Sequence, residues 1–172
     1  MLIIGNGRVI TRDDANPFLE NGAVLIEKEL IKKVGTTESL RKEYPDAEYI
    51  DAKGGVIMPG FINIHEHIYS AMARGLSIKG YNPNGFLDIL DGLWWTIDRH
   101  LTLEQTKQSA IATYIDCIKS GVTTVFDHHA SFGNIKDSLF AIEDAAKELG
   151  VRTCLCYEVS DRDGKDKMKE AV

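Results

Sequence analysis

The 172-residue chain has no long apolar run, no basic run beyond Lys32-Lys33, only three cysteines, and no histidine after His129. Each scarcity excludes something. Without a basic n-region or an extended apolar stretch, the opening Met1-Leu2-Ile3-Ile4-Gly5-Asn6-Gly7 is too short for a signal peptide or a membrane span, which favours a cytoplasmic location. With Lys and Arg outnumbered by Asp and Glu and a net charge of -6, there is no electrostatic footprint for a nucleic-acid backbone. The odd cysteine count, Cys117, Cys154 and Cys156, points to free thiols. Cys154 and Cys156 would share one face of a strand, but zinc-binding pairs usually keep two to four residues between them, so they are read as buried filler. Neither nucleic acid nor a membrane is the expected partner, with homo-oligomerisation left open.

What is present centres on Val56-Ile57-Met58-Pro59-Gly60-Phe61-Ile62-Asn63-Ile64-His65-Glu66-His67, an apolar run that ends in two histidines. Strand alternation places Phe61, Asn63, His65 and His67 on one face, so the two imidazoles converge. Two neighbouring nitrogen donors at the end of a buried strand suit a divalent metal, zinc first and iron as the alternative. Structural filling is the competing explanation for a bare His-x-His pair. Its position, at a strand end ahead of a long aromatic-rich connection, favours chemistry.

Residues 1–55 read as a small antiparallel β module: Leu2–Ile4, Arg8–Thr11, Ala23–Ile26 and Leu30–Val34, with a short helix near Thr37–Tyr44 and a further strand at Glu48–Ala52. After His67 a long connection carries Phe86, Ile89, Leu90, Leu93, Trp94 and Ile97 at helical spacing, with Trp95 off that stripe. Thr102-Leu103-Glu104-Gln105 is a capping box for a helix burying Ile111, Tyr114, Ile115 and Ile118, which ends at Gly121. Val122–Phe126 is a second strand, Asn134 caps a second helix closed by Gly150, and Val151–Tyr157 is a third strand. The alternation implies a parallel α/β sheet with right-handed crossovers. Its titratable residues, His65 and His67, then Asp127, His128 and His129, then Glu158 and Asp161, fall at the C-terminal strand ends, where parallel α/β enzymes place their chemistry.

With these residues in place, the chain resembles the amidohydrolase superfamily, within it the deaminase and triazine hydrolase group, and most of all the SsnA-type aminohydrolases. The resemblance rests on Pro59–His67, Ala73-Arg74-Gly75-Leu76, Leu101-Thr102-Leu103-Glu104 and Ser120–Asp127. It implies a small N-terminal β-sandwich followed by a (β/α)₈ barrel. His65 and His67 would be metal ligands, joined by histidines on strands five and six and an aspartate on strand eight, and a metal-bound water would attack a C–N bond of a small-molecule substrate, as in an aminated heterocycle. Asp98 occupies the place of a substrate-binding carboxylate, while His128 and His129 are candidates for substrate contact and Arg74 for loop positioning or anion binding. The resemblance also implies that no catalytic acid–base residue lies in this chain. Val56–Val172 falls short of the about 250 residues of a closed barrel. Residues 56–172 therefore read as the N-terminal part of a hydrolase barrel, its first three strands, inactive alone. The alternatives are a non-catalytic binding module with structural histidines and, among enzymes, an amidase or chlorohydrolase.

Overall fold

The computed structural model describes all 172 residues, Met1–Val172, as two compact units, Met1–Pro59 and Gly60–Val172. No helix is long and apolar enough to cross a membrane.

In the first unit, β1 (Leu2–Ile10) is central to a five-stranded sheet. It pairs antiparallel with β2 (Phe18–Glu27), and β2 pairs antiparallel with β3 (Leu30–Thr36). On its other side β4 (Glu48–Asp51) and β5 (Val56–Ile57) both run parallel to β1, so the sheet is mixed, not antiparallel throughout. The cause is α1 (Thr37–Glu43), which serves as a crossover and returns the chain in the original direction. Nor does Gly5-Asn6-Gly7 divide the first strand in two. Asn6 takes φ 53° and the register slips between Ile4 and Gly7, so the turn-like tripeptide is a bulge. Thr36 caps α1 by accepting from the Ser39 amide, and Leu40 then packs on Ile3, Ala23 and Leu25.

In the second unit, β6 (Phe61–Glu66), β7 (Val122–His129) and β8 (Arg152–Tyr157) form a parallel sheet in that order. Gly60 leads into it because a Cβ there would collide with the Thr123 side chain. Helices α4 (Leu103–Lys119) and α5 (Ser138–Leu149) share a core with the strands: Tyr114, Ala110, Ile142 and Ala145 pack with Val125, and the Tyr114 hydroxyl reaches Thr153 Oγ1 at 2.9 Å. On the sheet's other face Phe126 and both Cys154 and Cys156 are exposed, which corrects the reading of the strand cysteines as buried filler. Their register partners explain why: Cys154 pairs with Phe126 and Cys156 with His128, whereas Leu155 and Asp127 face the helices.

Three local readings are also revised. The helical stripe from Phe86 to Ile97 is not on one regular helix: α2 (Phe86–Ile89) passes through a π-helical turn at Leu90–Trp94 into α3 (Trp95–His100). A π turn adds a residue and rotates the stripe, so Trp94 and Ile97 reach the Tyr69, Leu101 and Phe132 core while Phe86 stays 71% exposed. Asn134 does not cap α5. It donates to the Leu101 carbonyl at 2.8 Å, and α5 follows Asp137 at φ 66°. On α4, Tyr114 is buried as expected, but the helix turns Thr106, Ser109 and Cys117 inward and leaves Ile115 and Ile118 exposed.

The capping box is complete. Thr102 Oγ1 accepts from the Gln105 amide at 3.2 Å, Gln105 Oε1 accepts from the Thr102 amide at 2.9 Å, and Gly121 ends the helix at φ 76°. Thr102→Ala is expected to lower unfolding stability by about 1 kcal/mol, read from the midpoint of a denaturant titration at unchanged slope; a change under about 0.3 kcal/mol would show the cap to be idle.

Candidate metal centre and flanking cavity

The site is built on the end of β6. Strict alternation along β6 is interrupted: Asn63 pairs with Val125 and Glu66 with Asp127, so Ile64 and His65 together oppose Phe126. Asn63 consequently lies with Glu66, donating Nδ2–H to Glu66 Oε2 at 2.8 Å, and not with the histidines as alternation predicts. That pair braces the backbone of the turn. Asn63 Oδ1 accepts from the His65 amide at 3.2 Å, and Glu66 Oε1 accepts from the His67 amide at 3.0 Å.

The bulge leaves the imidazoles converging, with His65 Nε2 and His67 Nε2 3.2 Å apart. A single tetrahedral ion bonded to two imidazoles at about 2.0–2.1 Å sets its donors roughly 3.3 Å apart, so the pair fits a metal of the zinc type. The opposite nitrogen of one ring supports that fit. His67 Nδ1 lies 3.0 Å from the His128 carbonyl, which can only accept, so Nδ1 carries the proton and Nε2 presents its lone pair. No group of three or more His, Cys, Asp or Glu side chains comes together that could hold a metal ion.

Behind the turn, Asp127 Oδ1 accepts from the Ile68 amide at 2.7 Å and Oδ2 has no partner. Burial pushes its carboxyl up to about 7. His128 and His129 part company on alternate faces of β7. His128 borders the cavities beside His67, whereas His129 is fully buried between Tyr69 and Tyr157.

Two cavities adjoin the imidazoles. One, of about 580 Å³, lies over the open face of the sheet and is bordered by His65, His67, Phe126, His128, Cys154 and Cys156. The other, of about 350 Å³, lies between His67 and the helical connection and is lined by Tyr69, Phe86, Leu90, Trp94, Trp95, His128 and Glu158.

Asp98 lines neither cavity. Its carboxylate is 0% exposed and takes Arg162 Nη2 at 2.6 Å and Nη1 at 3.4 Å. Burial pushes the Asp98 carboxyl up to about 6, against the pull of Arg162. For Arg162 burial opposes the charge, but hydrogen bonds to Glu158 and Asp98 outweigh it and raise its pKa. At neutral pH the pair is ionised. Arg162 also binds Glu158 Oε1 through Nε at 2.6 Å and lies over the Phe132 and Trp95 rings. Sequence reasoning passed over Arg162; the Glu158-to-Arg162 spacing of four with opposite charge was its one signal. Arg74, read as a loop or anion residue, forms an exposed pair with Asp116 at 2.9 Å.

The curated 5'-deoxyadenosine deaminase of Methanosarcina barkeri is 30% identical over 159 residues, covering 91% of this chain and 33% of that protein. A 5-methylthioadenosine/S-adenosylhomocysteine deaminase of Syntrophomonas wolfei is 30% identical over 126 residues, covering 73% and 28%. This chain therefore spans about a third of the length of the curated relatives it matches. Among solved structures, atrazine chlorohydrolase from Arthrobacter aurescens TC1 complexed with zinc superposes with a TM-score of 0.73 at 28% identity, over 91% of this chain and 35% of that one. Guanine deaminase of E. coli gives 0.76 at 22% identity over 98% and 40%, a likeness of fold alone. A short stretch, residues 22–47, matches an imidazolonepropionase-like composite domain of bacteria. The amidohydrolase family profile matches residues 56–172, the whole stretch that carries the paired imidazoles and the parallel sheet, and the chain belongs to that family.

Proposed function

We propose that this chain supplies the first two ligands, His65 and His67, of a divalent-metal site in a hydrolase that cleaves a C–N bond of an aminated heterocycle. The 3.2 Å approach of the two Nε2 atoms carries the reading. Bound there, a zinc or iron ion supplies Lewis acidity and a water of lowered pKa. The chain's own residues hold and orient. The His128 carbonyl fixes the tautomer of His67, Glu66 and Asn63 fix the backbone between the ligands, and Asp127 anchors the residue that follows. Two imidazoles leave an ion under-coordinated. The remaining ligands and the proton-transfer group therefore come from outside these 172 residues, and the chain alone releases no ammonia. In the same reading the first unit is part of a β-sandwich, and β6, β7 and β8 are the first strands of a (β/α)₈ barrel whose interior is the open sheet face. The likeness to a chlorohydrolase keeps a second leaving group, chloride, in play on the same scaffold.

The test is a zinc titration of the 172-residue chain by competition with a chelating dye. His65→Ala and His67→Ala are each expected to weaken binding at least tenfold, and Cys154→Ser with Cys156→Ser to leave it within twofold. Unchanged affinity in both histidine variants would sink the assignment. In the full-length product the same histidine variants should lose both bound metal and ammonia release.

A further inference from the structure

Resting on the proposed hydrolase site, we infer that Glu158 is the residue that reads the ligand, accepting N–H donors from the edge of a flat ring held in the aromatic cavity beside His67. The cavity's composition sets the ligand's shape. Its walls include Tyr69, Phe86, Trp94 and Trp95, ring systems that bind another planar ring through stacked or edge contacts. Glu158 is the only carboxylate on the lining, and no lysine or arginine shares it, so the wall accepts hydrogen bonds and repels anions. At about 350 Å³ the space suits one or two fused rings.

The carboxylate is held ready without being used up. Oε1 accepts from Ser160 Oγ at 2.7 Å and Arg162 Nε at 2.6 Å, while Oε2 takes only Arg162 Nη2 at 3.2 Å. An ionised carboxylate has about four acceptor positions, so Oε2 keeps one for a ligand. Burial alone would raise the Glu158 carboxyl, but Arg162 and Ser160 hold it below the usual range, so it stays an acceptor at neutral pH. Arg162 is in turn fixed by Asp98, whose own carboxylate is closed to solvent. The carboxylate presented to a ligand is thus Glu158, at the end of β8, and not Asp98.

The experiment follows the indole N–H resonances of the two tryptophans, Trp94 and Trp95, both of which line this cavity. The 172-residue chain is titrated, with a chelator present, with 2-aminobenzimidazole, whose amidine edge donates N–H bonds, and with 1-methylbenzimidazole, which has no N–H donor. Wild type should bind the first at least tenfold more tightly and should not bind benzoate. Glu158→Gln should reduce the preference to within twofold, and Phe86→Ala, at an exposed wall position, should weaken both ligands alike. Equal binding of the two ligands by wild type, binding of benzoate, or a preference that survives Glu158→Gln would each overturn the inference. If Glu158→Gln does not fold, the wild-type ligand pair decides. Because the chelator removes metal, this result is read separately from the zinc titration, so failure of the Glu158 inference is distinguishable from failure of the metal site.

Discussion

Arg162→Met is expected to lower unfolding stability by about 3–5 kcal/mol at pH 8, the usual cost of leaving a buried charge without its partner. Asp98 is fully buried and Arg162 only 10% exposed, so solvent screening does little to soften the loss. The same guanidinium also neutralises Glu158 and Asp163, at 2.6 and 2.9 Å, and its removal leaves three carboxylates close together. The sign of the pH dependence follows. With Arg162 gone, nothing opposes the burial that raises the Asp98 carboxyl, so the group takes up a proton more readily and the loss shrinks toward pH 5. Asp98→Leu combined with Arg162→Met should regain most of the stability, since apolar replacement of both members of a buried pair is often neutral. Urea denaturation of the two single variants and the double variant completes the cycle. A loss below about 1 kcal/mol in Arg162→Met, or additivity of the two changes, would show that the pair is not coupled.

That ion pair also marks where reading the sequence stops. The parallel sheet, its strand ends and the convergence of His65 with His67 follow from alternation and from caps, because those signals are local: Thr102 with Gln105, Gly121 after α4, and the apolar run ahead of His65. The bulge opposite Phe126 is not local. It arises from the pairing of β6 with β7, whose partners lie some sixty residues away, and it moves Asn63 to the other face while leaving the histidines together. Asp98 is the same kind of case. Its position in the sequence suggests a substrate contact, and nothing near it forecasts Arg162, 64 residues on, which closes over it. Long-range pairing likewise decides the phase of β7, which puts His128 at the cavities and His129 against the helices.

His129 gives the clearest pH signature. Its Nε2 lies 2.9 Å from Ser131 Oγ, and that hydroxyl donates to the Asn134 carbonyl at 3.0 Å, so it must accept from the imidazole. Nε2 therefore carries the proton, and Nδ1 is a bare acceptor, buried without a partner. A second proton would sit on Nδ1 with nothing to receive its hydrogen bond, in a wall made by the Tyr69 and Tyr157 rings. Burial, with His128 adding to it, accordingly pushes the His129 pKa down to about 4. A histidine whose folded pKa is depressed contributes stability that is complete above its unfolded pKa of about 6.5 and is lost as pH falls through the folded value. The expected loss is about 3 kcal/mol between pH 6.5 and pH 4, at 1.36 kcal/mol per unit. Asp98 and Asp127 titrate in the same range with the opposite sign: their raised carboxyls, at about 6 and about 7, favour the folded chain as pH falls. The wild-type profile alone therefore mixes the three. His129→Gln keeps a donor for Ser131 and removes the titration, so subtracting its urea-stability profile from that of wild type isolates the histidine. The difference should fall by about 3 kcal/mol from pH 6.5 to pH 4 and be level above pH 7. A flat difference would mean that the ring takes up its proton in place, which requires an acceptor for Nδ1 that this fold does not provide.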